Sequence, residues 1–178
     1  VDWRAWNVVR PPKDQGKCGG DFAFSTAASA ESQFAIKTGK LYDLSEQYLL
    51  DCDVLSGGCS GGWHESAAYL LSTSGAILEE DYPFVGEQQE CREELVDNRV
   101  FKLQYPGIAP VEQSKDGFKA ALRKGPIQVS FKVTNALFYQ YNTGVLPADY
   151  CESDDGSLNH SMLALGYGID SKGEYAII

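Results

Sequence analysis

The sequence predicts an α+β fold in which helices come first and strands last. Apolar residues recur at helical spacing before about residue 105, whereas after Gly125-Pro126 the spacing changes to alternation. The composition supports a real core: 178 residues, 43% of them hydrophobic, suit one large domain or two small ones. No internal repeat or low-complexity stretch interrupts this order.

Taken along the chain, Pro11-Pro12 fixes an extended approach to the glycine-rich loop Gln15-Gly16-Lys17-Cys18-Gly19-Gly20. A helix then runs from Asp21 to Ile36, with Phe24, Ala27, Ala28, Phe34 and Ala35 on its apolar positions and Gly39 closing it. It is expected to be the buried central helix. Asp21 stands where a helix presents unpaired N–H groups and a positive dipole end, a place that stabilises an anion. Two readings follow: a plain N-cap, or an anionic functional group.

Ser45 caps a short second helix through Cys52, with Glu46 in its first turn. Gly57-Gly58-Cys59-Ser60-Gly61-Gly62 is too rich in glycine for regular structure and reads as a loop. Trp63 to Thr73 forms a third helix with Ala67, Leu70 and Leu71 apolar, ended by Gly75. Residues 87–99 read as charged and irregular, held by Cys91. Ser114 caps a further helix through Leu122, which stops at Gly125-Pro126. Strands are expected over 127–133, 161–167 and 174–178.

A net charge of -10 argues against nucleic-acid backbones and anionic membranes as partners, because both reward clustered Lys and Arg. No apolar run reaches the roughly 18 residues that a membrane span requires, and no N-terminal segment resembles a signal peptide. A processed or trimmed chain is therefore expected. Five cysteines, Cys18, Cys52, Cys59, Cys91 and Cys151, leave one over if the rest pair. A metal site from Cys52, Cys59, His64 and Cys91 is the other reading, although no C-x-x-C pair supports it.

The stretch from Gln15 to Ser25 resembles the active-site segment of papain-like cysteine peptidases, Q-G-x-C-G-S-C-W-A-F-S. Gln15, Gly16, Cys18, Gly19, Ala23, Phe24 and Ser25 match it, while Gly20, Asp21 and Phe22 depart. Aspartate therefore stands where the family carries its nucleophilic thiol. The resemblance extends through Val1-Asp2-Trp3-Arg4, Leu44-Ser45-Glu46-Gln47-Tyr48-Leu49-Leu50-Asp51-Cys52, Gly58-Cys59-Ser60-Gly61-Gly62, Tyr82-Pro83-Phe84 and Asn159-His160-Ser161 with Gly166-Tyr167-Gly168.

This resemblance implies two lobes with a cleft between them. A helical lobe would take residues 6–107, and an antiparallel β-barrel lobe residues 1–5 and 108–178. Residues Gly173 to Ile178 resemble the strand before K-N-S-W-G, so the chain is expected to be a fragment whose barrel and Cys151 partner are completed beyond Ile178. It further implies disulfides Cys18–Cys59 and Cys52–Cys91, hence an oxidising compartment, extracellular or lysosomal/vacuolar. His160 is the counterpart of the catalytic base and Gln15 of the oxyanion-hole donor. Gly61 and Gly62 would pair with the backbone of an extended ligand. Trp63, Ser130 and Ser161 match positions around the pocket that selects the second residue before the scissile bond, although Trp63 also suits core packing. Asn159-His160-Ser161 is formally a glycosylation sequon, expected to be unused because it overlaps this site.

Acyl transfer by the family mechanism needs a thiolate, and Asp21 supplies a carboxylate. Its attack on an amide would give a mixed anhydride, and an aspartic-protease mechanism would need a second carboxylate. The leading expectation is a non-catalytic homologue that binds a peptide or protein, for instance a pro-segment or cystatin-like inhibitor, and requires no cofactor or metal. The alternatives are an active endopeptidase in which Asp21 is peculiar to this copy, an extracellular structural or decoy protein, or hydrolysis by an unrelated mechanism.

Overall fold

A computed structural model describes residues 1–134, 136–147 and 156–178. Cys151, the cysteine left over in the sequence, lies outside the described residues.

Helix α1 (Asp21–Thr38) is the spine. Its first turn carries Asp21 and its last turn Lys37, each favourable to the helix dipole, and Gly39 ends it at φ 76° with its N–H on the Ala35 carbonyl. Phe22, Ala23, Ala27, Ala30 and Ala35 are buried together with Ser25, Thr26 and Ser32. Small side chains on several faces let neighbours approach closely, so α1 packs against both lobes at once.

Helix α2 (Glu46–Cys52) is buried along its whole length, and Ser45 caps it as expected, accepting from the Tyr48 N–H at 2.9 Å. Helix α3 (His64–Thr73) completes the helical layer, beside a small antiparallel pair of β1 (Ala76–Ile77) and β2 (Arg99–Phe101). Phe22, Leu44, Leu49, Leu50, Leu71, Ile77 and Tyr82 form the core of this lobe. The expectation of an irregular segment over 87–99 needs correction. A 3-10 turn occupies Glu93–Asn98 and β2 begins at Arg99. Cys91 is not its sole anchor either. Buried Asp51 accepts from Tyr82 Oη at 2.8 Å and from the Gln89 N–H at 2.7 Å, satisfying a carboxylate that burial would otherwise penalise.

The other lobe begins with α4 (Lys115–Leu122), capped by Ser114 through the Gly117 N–H at 3.0 Å. Two antiparallel pairs follow: β3 (Ile127–Phe131) with β4 (His160–Ala164), and β5 (Gly166–Asp170) with β6 (Gly173–Ile177). The single strand expected over 161–167 is thus two strands with different partners. The change of partner falls at Leu165, whose N–H donates to Ile177 and whose carbonyl accepts from Trp3. The strand expected over 127–133 ends at Phe131, because the backbone of Val133 is engaged by the Asn159 side chain instead of a ladder.

The N-terminal residues lie along this lobe. Asp2 bridges Gly166, and Trp3 Nε1 donates to the Leu122 carbonyl at 2.7 Å. A Cβ on Gly166 would overlap the Val1 carbonyl, a rigid backbone neighbour. Gly166→Ala is therefore expected to lower stability by about 1–3 kcal/mol, as overpacking does. A thermal melt of the variant equal to the parent's would contradict this.

Candidate functional site

The site forms where the glycine-rich loop, the 57–63 loop and the start of β4 meet. The disulfides implied by the resemblance are present, Cys18–Cys59 and Cys52–Cys91. That overturns the metal reading of Cys52, Cys59, His64 and Cys91, since a sulfur in a disulfide offers no thiolate. The Cys18–Cys59 bridge and a hydrogen bond from the Gly19 N–H to the Cys59 carbonyl at 2.9 Å join the two loops. Gln15 folds back over this junction and donates from Nε2 to the Cys18 carbonyl at 2.8 Å.

Asp21 is the first residue of α1, not its cap. The cap position belongs to Gly20, which corrects the N-cap reading. Its carboxylate is embedded in donors. Oδ1 accepts from the Phe22 N–H at 3.0 Å, while Oδ2 accepts from the Ser161 N–H at 2.6 Å and lies 3.2 Å from His160 Nδ1. Asp21 and His160 side chains are only 17% and 19% exposed. The pair thus joins the spine helix to β4 in a partly desolvated place, where polar contacts are stronger than in water.

The contacts of four residues complete this geometry, and those of Phe131, Phe138 and Gln128 escaped the sequence reading. Phe131 and Phe138 set their ring edges against His160, with centroids at 5.8 and 5.9 Å. Asn159 grips the Val133 backbone with both ends of its amide, accepting from N–H at 2.7 Å and donating to the carbonyl at 3.1 Å. Gln128 reaches across to α1 and donates from Nε2 to Ser25 Oγ at 2.6 Å. Phe131 lies directly opposite His160 in the β3–β4 register, so a correct pairing would have located it. The other contacts depend on the fold.

The 57–63 loop presents backbone. Gly61 has φ 107°, and a Cβ on Gly62 would overlap Ser56 and the Phe22 ring, so both positions require glycine. Asp53 organises the loop by accepting from Ser56 Oγ at 2.7 Å and Ser66 Oγ at 2.5 Å, and Ser56 Oγ in turn accepts from the Trp63 N–H. Trp63 is 68% exposed, which overturns its core-packing reading. On the strand side, Ser130 and Ser161 face each other in register with their hydroxyls 2.8 Å apart.

Chemically, the Asp21 carboxylate accepts from two backbone N–H groups and lies beside the His160 imidazole, and none of these neighbours is a second carboxylate. Such an environment occupies the carboxylate oxygens and weakens them as nucleophiles. It does not provide the shared proton of an aspartic-protease dyad.

Comparison with known proteins gives concordant results. The description "Papain family cysteine protease" matches residues 1–178. The chain is 38% identical over 183 residues to digestive cysteine proteinase 1 of Homarus americanus and 37% identical over 179 residues to cathepsin K of Mus musculus, covering 56% and 54% of them. It thus spans about half the length of the curated relatives it matches. Among solved structures, it resembles digestive procathepsin L 3 of Tenebrio molitor larval midgut, with a TM-score of 0.88 and 34% identity, covering 99% of this chain and 57% of that one. It also resembles the Carica candamarcensis cysteine protease CMS1MS2 in complex with E-64, with a TM-score of 0.83 and 29% identity, covering 99% of this chain and 87% of that one. With that family description matched over residues 1–178 and the fold shared at TM-scores of 0.83 and 0.88, the chain belongs to the papain family of cysteine proteases.

Proposed function

We infer that this chain is a catalytically silent papain-family homologue that retains a peptide-binding cleft. The observation that carries the reading is the Asp21 carboxylate, positioned as the nucleophile would be and bound to His160 and the Ser161 N–H. Active members place a thiolate and an imidazolium together at a helix N-terminus, and a carboxylate there reproduces the charge without the nucleophile. Gln15 is assigned to the oxyanion position and His160 to the base position. Gly61 and Gly62 bind ligand backbone, and Trp63, Ser130 and Ser161 form the selecting pocket. The lobes are assigned to 6–107 and to 1–5 with 108–178.

The cleft would take an extended peptide, a pro-segment or a cystatin-like inhibitor. The Tenebrio relative is a procathepsin and the Carica relative was solved with E-64, both of which favour such an occupant here. Two disulfides favour an oxidising location, extracellular or lysosomal/vacuolar. An extracellular decoy would use the same cleft.

The second reading, an active cysteine endopeptidase with Asp21 peculiar to this copy, is favoured by the retained placement of His160 and the diglycine loop. Cleavage of a panel of fluorogenic peptides varied at the selecting position, in reductant at mildly acidic pH, separates the two. The full-length protein is expected to be silent and its Asp21→Cys variant to be faster by at least about 10³-fold, a conservative figure for restoring a nucleophile. Parent activity that survives thiol inhibitors would overturn the reading.

A further inference from the structure

We propose that the cleft recognises an uncharged, hydrogen-bonding side chain through the paired hydroxyls of Ser130 and Ser161. This rests on the cleft being a peptide site, and it names the class of peptide.

The argument starts from strand geometry. Alternate residues of β3 share a face, so Gln128 and Ser130 point the same way. Gln128 touches Ser25 and Thr26 of α1, which fixes that face as the one turned toward the helical lobe. Ser130, two residues further along β3, therefore stands toward the N-terminal end of α1. Ser161 faces it from β4, and its own N–H holds the Asp21 carboxylate. Ser161 follows His160 in β4, so its hydroxyl points to the opposite face from the His160 ring; the half-buried hydroxyl pair is tied to Asp21 through the Ser161 backbone N–H.

Two serine hydroxyls together offer two donors and four acceptor lone pairs. Their mutual bond at 2.8 Å uses one of each, leaving one donor and three acceptor sites. Water satisfies these when the cleft is open. An apolar ligand side chain laid over the pair would strip that water and return nothing, whereas an amide or hydroxyl side chain would replace it. Sites built to hydrogen-bond their ligand reject analogues that cannot do so. The same geometry disfavours a carboxylate ligand, because Asp21 lies next to the pair.

The test uses fluorescein-labelled, N-acetylated peptides that differ only at the selecting position, carrying Asn, Gln, Thr, Leu, Phe or Arg. Binding to the full-length protein is followed by polarisation. Asn, Gln or Thr is expected to bind about tenfold more tightly than Leu or Phe, the equivalent of one unmet buried hydrogen bond. In the double variant Ser130→Ala with Ser161→Ala, the order is expected to level or reverse, with circular dichroism checking that the fold is kept. Tighter binding of Leu, Phe or Arg by the parent overturns the proposal and leaves the cleft reading standing. An unchanged order in the double variant overturns it as well. Failure of every peptide to bind removes the cleft reading and this proposal together.

Discussion

Replacing Lys13 by methionine is expected to destabilise the protein, and more so above pH 8, where the buried carboxyls beside it give up their protons and would be left without a countercharge. Lys13 Nζ lies 2.7 Å from Glu46 Oε1, 2.7 Å from Asp43 Oδ1 and 3.9 Å from Glu31 Oε1, and it donates to the Leu44 carbonyl at 3.1 Å. The Glu31 and Glu46 side chains are each only 3% exposed. Burial pushes the Glu31 carboxyl up to about 8, against the opposing pull of the Leu44 N–H and the Lys13 charge. Burial likewise pushes Glu46 up to about 7, against Lys13. For Lys13 itself burial disfavours the charge, but Glu46, Asp43 and Glu31 outweigh it and hold the ammonium above its usual range.

The direction of the pH dependence follows from those shifts. Folded Glu31 and Glu46 keep their protons where the unfolded chain has already released them. The folded state therefore binds more protons between about 4.5 and about 8, and stability falls as pH rises through that window. Lys13, raised in the folded state, contributes at every pH below its unfolded value and adds no slope there. Urea midpoints of the parent are expected to be higher at pH 5 than at pH 8. In Lys13→Met the carboxyls lose their countercharge, so the loss should be larger at pH 8 than at pH 5. Equal losses at both values would show that Lys13 acts by packing its stem alone.

Cys18→Ser combined with Cys59→Ser is expected to cost about 3–4 kcal/mol, because that bridge spans 41 residues and a chain-entropy account gives this order for such a loop. The consequence reaches the site. The bridge joins the loop that carries Gln15 and leads into Asp21 to the loop that carries Gly61 and Gly62. Without it, the hydrogen bond from the Gly19 N–H to the Cys59 carbonyl must carry more of the link between them. Denaturant titration should show the stability loss, and peptide binding to the cleft should weaken in the same variant. Full stability after removal of the bridge would mean that the packing of Phe22 and Leu50 already fixes the loops.

Much of the helical structure was legible in the sequence, because its signals are local. Ser45 and Ser114 cap helices wherever the chain places them, Gly39 ends one, and the caps formed as read. The bounds of α1 and α3 shifted by a residue or two, as frayed ends do. The strand lobe was legible only in part. Leu165 looks like one more residue of a continuous apolar strand, and nothing local marks the point where the chain exchanges β3 for β6. Trp63 shows the same limit from the other side: a large aromatic ring suggests burial by composition, yet the 57–63 loop leaves it in solvent.

The sequence alone determined the family, the two disulfide pairings implied by that resemblance, and the residue types at the site, since motifs carry identity and identity carries chemistry. That a carboxylate opens the helix after the glycine-rich loop is legible in Asp21 without any coordinates. The tertiary structure decided what the carboxylate does. Only folding brings Ser161 and His160, 140 and 139 positions away, against Asp21, and only strand register sets Ser130 opposite Ser161. The physical reason is range. Capping and periodicity act within a few residues, whereas the Asp21–His160 pair and the Ser130–Ser161 hydroxyls depend on strand pairing and on packing that brings α1 against β3 and β4.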